Sequence, residues 1–182
     1  MREALKNISE SDYWVYGLGG DDYEYTIRLA KEFAEAKTTL FRQESERVRT
    51  EQPDEADDIL DDVAYYTHTD NEYIWHFCLW RLQAIFEGIL VHKLLRDQKA
   101  ERLLGLKAKL DAIRAAGYPL SDQDYDELIS WGKLRNALSH APQEQYRPGP
   151  LRDTDVFEYK DLVKRLTRAW LESCLAAEFS HK

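Results

Sequence analysis

An arginine, an asparagine and a histidine lie close together near the end of one predicted helix, as Arg135, Asn136 and His140. Arginine keeps its charge and binds phosphate through two parallel hydrogen bonds. Histidine can accept or donate a proton near neutral pH. Together they could cleave a phosphodiester without a metal. The imidazole would move the proton of a 2′-hydroxyl or leaving group, and the guanidinium would stabilise charge on the phosphoryl oxygens.

The predicted helix sets where these three side chains can point. Arg135 lies only about 50° from the centre of the apolar stripe, so its guanidinium needs a partner or a route to solvent. Asn136 and His140 are four residues apart, so their side chains can meet. His140 comes where the helix ends, and the negative end of the helix dipole favours a protonated imidazole. The apolar stripe itself comprises Leu128, Trp131, Leu134 and Leu138.

Two interpretations of this Arg–His pattern remain open. An arginine followed by a histidine at this spacing is a loose pattern that arises by accident in many chains. The asparagine directly after the arginine and Pro142 just beyond the helix favour a functional site. Three nearby bases could guide an RNA backbone toward it or simply be solvated: Lys133, Arg147 and Arg152.

Helical periodicity dominates the chain, and alternating strand patterns are absent. We predict an all-α fold, an up-and-down bundle of four to six helices over residues 21–182. Residues 1–20 form a separate N-terminal segment to which the pattern assigns no structure. The first helix should begin at Asp21 or Asp22. It places four apolar residues on one face: Leu29, Phe33, Ala36 and Leu40.

The second helical region, residues 56–95, has a candidate break at 67–71 and is apolar nearly all round from 74 to 91. A helix without a polar face either lies at the centre of a bundle or also contacts a second subunit. Glu87 lies in this apolar part, so we expect it to pair with a base.

Capping residues, helix-breaking residues and apolar periodicity predict the bounds of the last three helices. The third helix is predicted over residues 99–116. Ser121 is the expected N-cap of the fourth helix, which carries the Arg–His pattern and ends before Pro142. The final helix is predicted over residues 156–178.

Charge and apolar content narrow the classes of function. The formal net charge of −9 argues against broad, non-specific binding of nucleic acid but leaves room for a small basic pocket. Residues 51–62 hold seven acids and no base, which is either a solvated face or a surface for a basic partner. No signal-peptide pattern begins the chain, and charges interrupt its longest apolar stretch. We therefore predict a cytoplasmic protein that does not span a membrane.

The sequence predicts no cofactor and no metal. His68, Glu72 and His76 are spaced at four-residue intervals, but the two ends of this set are about 12 Å apart on a straight helix, too far for one ion. The cysteines Cys78 and Cys174 form no metal-ligand pair, because no CxxC spacing is present.

Residues 134–140, Leu-Arg-Asn-Ala-Leu-Ser-His, resemble the signature of the HEPN superfamily (higher eukaryotes and prokaryotes nucleotide-binding domains). HEPN domains are helical bundles with an R-x(4–6)-H motif, usually with a polar residue after the arginine. The predicted order is also similar: a long helical hairpin, the motif helix and a closing helix. This resemblance covers seven residues in sequence and residues 21–178 in architecture.

The resemblance implies a metal-independent endoribonuclease of a toxin–antitoxin or defence system. Arg135 and His140 would be the catalytic pair, and Asn136 the residue that orients His140. Its implied partners are RNA, a second copy of the chain that completes the cleft, and an antitoxin protein. One toxin branch has a modified tyrosine two residues after the histidine. Pro142 stands there in this chain, so an antitoxin of the nucleotidyltransferase type is not implied.

A rival interpretation is a helical module of the inhibitor or immunity type, which binds RNA or a protein without catalysis. The acidic run at residues 51–62 supports it, because such a surface can imitate nucleic acid or dock a basic partner.

Overall fold

The computed structural model describes residues 20–96, 99–140 and 148–180, without the side chains of residues 101, 140 and 175–180. Within these residues the all-α prediction is confirmed, with five α-helices and no strand. The helices are α1 (Gly20–Glu51), α2 (Ala56–Ile89), α3 (Gly105–Ala115), α4 (Asp122–His140) and α5 (Asp153–Ser180). A π-helical turn, Leu90–Leu95, continues α2, and a 3-10 turn, Ala100–Arg102, precedes α3. Residues 1–19, most of the predicted N-terminal segment, lie outside the described part.

The first two helices pack against each other as a long hairpin, and α1 reaches the core through Tyr23, Ile27 and Ala30. Leu29, Phe33, Ala36 and Leu40 do share one face as predicted, but that face is exposed. The two apolar stripes lie about 115° apart around α1, so one packing contact cannot cover both. Contact with the bundle selects the stripe of Tyr23, whose side chain is fully buried.

α2 is the central helix of the bundle. This position is the first of the two alternatives given for its apolar sequence. Its fully buried residues are Leu79, Leu82, Ile85, Phe86 and Ile89. The predicted break at 67–71 is wrong. The hydroxyls of Thr67 and Thr69 donate to the carbonyls four residues earlier, at 2.8 and 3.0 Å, so both residues fit a continuous helix.

Among the described residues one stretch, Ala56–Leu95, is long and apolar enough to cross a membrane. The most apolar window of this stretch is 56% buried inside the bundle, which is typical of the core helix of a bundle.

The third predicted helix is shorter than expected. Leu103 and Leu104 are extended, and α3 begins only at Gly105, whose φ of +79° favours glycine. Gly117 ends the helix with a φ of +86°. The backbone N–H of Gly117 donates to the Arg114 carbonyl at 3.0 Å and that of Tyr118 to the Ile113 carbonyl at 3.2 Å, which is the Schellman arrangement.

Both ends of the helical hairpin α3–α4 are held in place. The predicted N-cap is confirmed, because the Ser121 hydroxyl accepts a hydrogen bond from the backbone N–H of Asp124 at 3.1 Å. Further along α4, a Cβ added at Gly132 would lie 3.1 Å from Leu106 Cδ2, so this glycine allows α3 and α4 to approach closely. The α5 residue Trp170 donates its indole N–H to the Pro119 carbonyl at 2.7 Å, just before α4 begins.

Candidate functional site

α4 carries Arg135 at the border between core and surface. On its core side Leu128 is buried, and Trp131 and Leu134 are half-buried against the same core. Arg135 is itself half-buried, and its Nε is shielded from solvent with no hydrogen-bond partner among the described residues. Arg135 thus lies where the sequence places it, beside the apolar stripe.

The structure brings Arg135 and Asn136 together. Arg135 Nη1 donates to Asn136 Oδ1 at 3.0 Å, so the guanidinium reaches toward the side of α4 on which Asn136 lies. His140 is the last residue of α4, one turn after Asn136. The side chain of His140 lies outside the description, so the predicted contact between Asn136 and the imidazole stays a prediction.

Arg135 lines a polar groove of about 550 Å³. The groove lies between α2, its π-helical turn, α3 and α4. The lining residues are Ala84, Glu87, Gly88, Val91, His92, Leu103, Lys109 and Arg135. The π-helical turn supplies Val91 and His92. Because a π turn holds an extra residue, it rotates the side chains that follow relative to α-helical spacing, and such turns are frequent at functional sites.

Glu87 pairs with a base, as predicted, and that base is Lys109 of α3. Glu87 Oε2 accepts from Lys109 Nζ, and Glu87 Oε1 accepts from Gln83 Nε2 at 2.9 Å. The side chains of Lys109 and Glu87 are only 16% and 19% exposed. Most other ion pairs of the described residues lie at the surface, where solvent weakens them.

A buried tyrosine of α5 lies near two of the charged residues of the groove, Glu87 and Arg135. Burial raises the pKa of the Tyr159 phenol well above its usual range, and a neighbouring Tyr23 and the negative charge of Glu87 raise it further. The positive charge of Arg135 acts in the opposite direction. Glu87 and Arg135 are therefore both within electrostatic reach of one hydroxyl, although they come from different helices.

Of the three bases that could guide RNA or simply be solvated, the two that the structure describes do not lie at this groove. Lys133 is exposed and lies about 200° around α4 from Arg135, so it points away from the groove. Arg152 is exposed at the start of α5, where its backbone N–H donates to Asp155 Oδ2 at 2.8 Å. Neither Lys133 nor Arg152 lines the groove. Arg147 lies outside the described residues.

Sequence patterns missed Lys109 and His92 as members of the site. The available signal for Lys109 was its place next to the apolar side of α3, between Leu106 and Leu110, where an ammonium group needs a partner. His92 carried no signal, because it reaches the groove through the π-helical turn that spacing does not predict.

No group of three His, Cys, Asp or Glu side chains in the described part of the chain is placed to hold a metal ion. Of the spaced set in α2, His76 is half-buried, and its burial lowers the pKa of the imidazole while the charge of Glu72 raises it.

Comparisons with known proteins give no family assignment: no protein-family model, no curated protein and no solved structure matches this chain. The likeness to HEPN domains therefore rests on residues 134–140 and on the helical architecture.

Proposed function

We propose that this protein is a metal-independent endoribonuclease of the HEPN type, acting in the cytoplasm in a toxin or defence setting. The hydrogen bond from Arg135 to Asn136 is the observation that carries the proposal. Residues four apart on a helix share a face, with Cβ atoms about 6 Å apart. The bond to Asn136 thus directs the guanidinium toward the face of α4 that also carries His140.

The proposed reaction uses the ribose 2′-hydroxyl as nucleophile. The imidazole of His140 accepts the 2′-hydroxyl proton as that oxygen attacks phosphorus, and the bond from phosphorus to the 5′-oxygen breaks. The leaving 5′-oxygen takes a proton from water, and the protonated imidazole of His140 returns its proton to solvent, so the base is regenerated. Arg135 stabilises the charge that develops on the phosphoryl oxygens. The products are a 2′,3′-cyclic phosphate and a 5′-hydroxyl end, and the proposed steps use no metal.

The test is RNA cleavage in excess EDTA by purified protein. We expect cutting of single-stranded RNA, cyclic phosphate ends, and no cutting at a position that carries a 2′-deoxyribose. Cleavage that needs a divalent cation, or cutting at the 2′-deoxy position, would contradict the mechanism. Absence of cutting would favour the rival class.

We further propose a homodimer, supported by an apolar groove between α1 and α2. This groove has a volume of about 430 Å³ and is lined mainly by Tyr25, Leu29, Ala30, Phe33, Ile74, Phe77 and Cys78. Four of these are exposed, with Phe33 at 56% and Phe77 at 57%. Exposed apolar patches of this kind mark association sites. Arg81 at the edge of the apolar groove is one turn from Ala84 in the polar groove, so a second copy here would adjoin the proposed site.

Phe77→Glu should convert the dimer to a monomer, because a carboxylate would be desolvated at the contact. Light scattering should give twice the chain mass of 21.4 kDa for the wild type and a single chain mass for the variant. Tyr65→Glu is the matched control, since Tyr65 is 66% exposed on the same helix but outside the apolar groove. A monomeric wild type, or a Phe77→Glu variant that still dimerises, would contradict the proposed interface.

The second candidate is a non-catalytic module that binds a basic partner, favoured by the acidic tip of the α1–α2 hairpin. All seven acids of residues 51–62 are exposed there. Tyr65 and Tyr66 follow on α2, each 66% exposed. This candidate predicts no RNA cleavage in the assay above.

A further inference from the structure

The polar groove is a positively charged site in an acidic protein. Lys109 and Arg135 contribute two positive charges to its lining and Glu87 one negative charge, which leaves a net charge of +1 when His92 is neutral. The whole chain carries −9. A local excess of positive charge against this background favours an anionic ligand in this groove.

Arg135 and Lys109 differ in the charge of their side-chain partners. Among the described residues Arg135 has only a neutral side-chain partner, Asn136, and its shielded Nε has none. Lys109 is held by Glu87, which Gln83 fixes from the other side. A carboxylate and a phosphate oxygen are alternative acceptors for an ammonium group, so a phosphate that enters the groove can replace Glu87 as the partner of Lys109.

We propose that Lys109 and Arg135 together bind one backbone phosphate of a nucleic acid in the polar groove. In the absence of the phosphate, Lys109 is ion-paired with Glu87. The choice of RNA as the source of this phosphate depends on the proposed function. The binding itself does not depend on catalysis. Glu87 then acts as a built-in competitor that weakens binding of anions too small to make both contacts.

The proposal predicts opposite effects for the two partners of one ion pair. Binding of a fluorescent single-stranded 2′-O-methyl RNA, which has no 2′-hydroxyl and cannot be cut, is measured by anisotropy at several salt concentrations. Lys109→Gln should weaken binding about 10-fold and lower the slope of log affinity against log salt by about 0.7, the value for one phosphate contact on a single strand. Glu87→Gln should tighten binding about threefold, because the amide keeps the shape but removes the competing charge.

Two further variants test whether the effect depends on a positive charge at position 109. Lys109→Arg should restore most of the affinity and the salt slope, since it retains a cation. Lys107→Gln is the matched control: Lys107 lies two residues earlier on α3, exposed and paired with Asp111 at 2.7 Å, and its loss should leave binding within about twofold.

The inference is overturned if the wild type does not bind, if Lys109→Gln binds with unchanged salt slope, or if Glu87→Gln weakens binding as Lys109→Gln does. A purely structural ion pair would give one of the last two results, with lowered melting temperatures. Because the oligonucleotide cannot be cut, these results are independent of RNA cleavage: a protein that binds in this way but never cuts RNA supports the phosphate site and contradicts the nuclease.

Discussion

Arg135→Ala is expected to slow RNA cleavage by about 10²- to 10³-fold, which is typical of losing one preorganised group that stabilises transition-state charge. Arg135→Lys should recover little, because an ammonium group cannot offer the paired donors of a guanidinium. Single-turnover rates on a short RNA in EDTA measure both variants. The fold should survive, since Arg135 is half-buried and its only described hydrogen-bond partner is the exposed Asn136.

Arg168→Ala is the matched control for this loss. Arg168 is an exposed arginine of α5 that pairs with Glu172 at 2.8 Å and does not line the polar groove. Its neighbour Arg165 pairs with Asp124 at the start of α4, so this part of α5 lies at the opposite end of α4 from His140. We expect the cleavage rate of Arg168→Ala to stay within about twofold of the wild type, because a distant exposed charge contributes little. An equal loss in Arg168→Ala and Arg135→Ala would show that general positive charge, and not the guanidinium in the groove, governs cleavage.

The largest expected loss of stability follows from replacing Trp170 of α5. Its side chain is fully buried, with its ring stacked near Phe86 at a centroid distance of 6.4 Å. Trp170→Ala should lower the free energy of unfolding by about 3–5 kcal/mol, from lost apolar burial and the cavity left behind. Urea unfolding measures the change.

A milder substitution separates packing from the hydrogen bond. Trp170→Phe keeps the aromatic contact but leaves the Pro119 carbonyl without its 2.7 Å donor, and should lower the free energy of unfolding by about 1–3 kcal/mol. Trp80→Phe is the control, because the shielded indole N–H of Trp80 has no partner among the described residues. A loss at Trp80 as large as that at Trp170 would contradict the role of the bond in fixing the start of α4.

Local signals were enough to predict the helix that carries the site. Ser121 caps α4 through a bond to a residue three positions away, and Gly117 ends α3 through bonds of the same range. Such contacts involve only neighbours in sequence, so residue type and spacing specify them. Arg135 likewise lies beside the apolar stripe because helical geometry alone determines its angle.

Features that depend on how the helices pack together were not predictable from local signals. α1 has two apolar stripes, and only packing against the bundle decides that Tyr23 is buried while Phe33 is exposed. The polar groove draws Glu87, Lys109 and Arg135 from three helices, and no spacing rule connects such distant positions. Glu87 and Lys109 gave the usable hints, because a charged side chain in or beside an apolar helix face needs a partner.

The most direct test of a catalytic site shared by Arg135 and His140 is a double-mutant cycle. It compares the cleavage rates of the wild type, Arg135→Ala, His140→Ala and the double variant. Groups that act on the same phosphate as one unit give strongly non-additive losses. We predict that the double variant cuts RNA about as slowly as either single variant. Losses that multiply in the double variant, or a His140→Ala variant that cuts at the wild-type rate, would show that the guanidinium and the imidazole do not share a catalytic site.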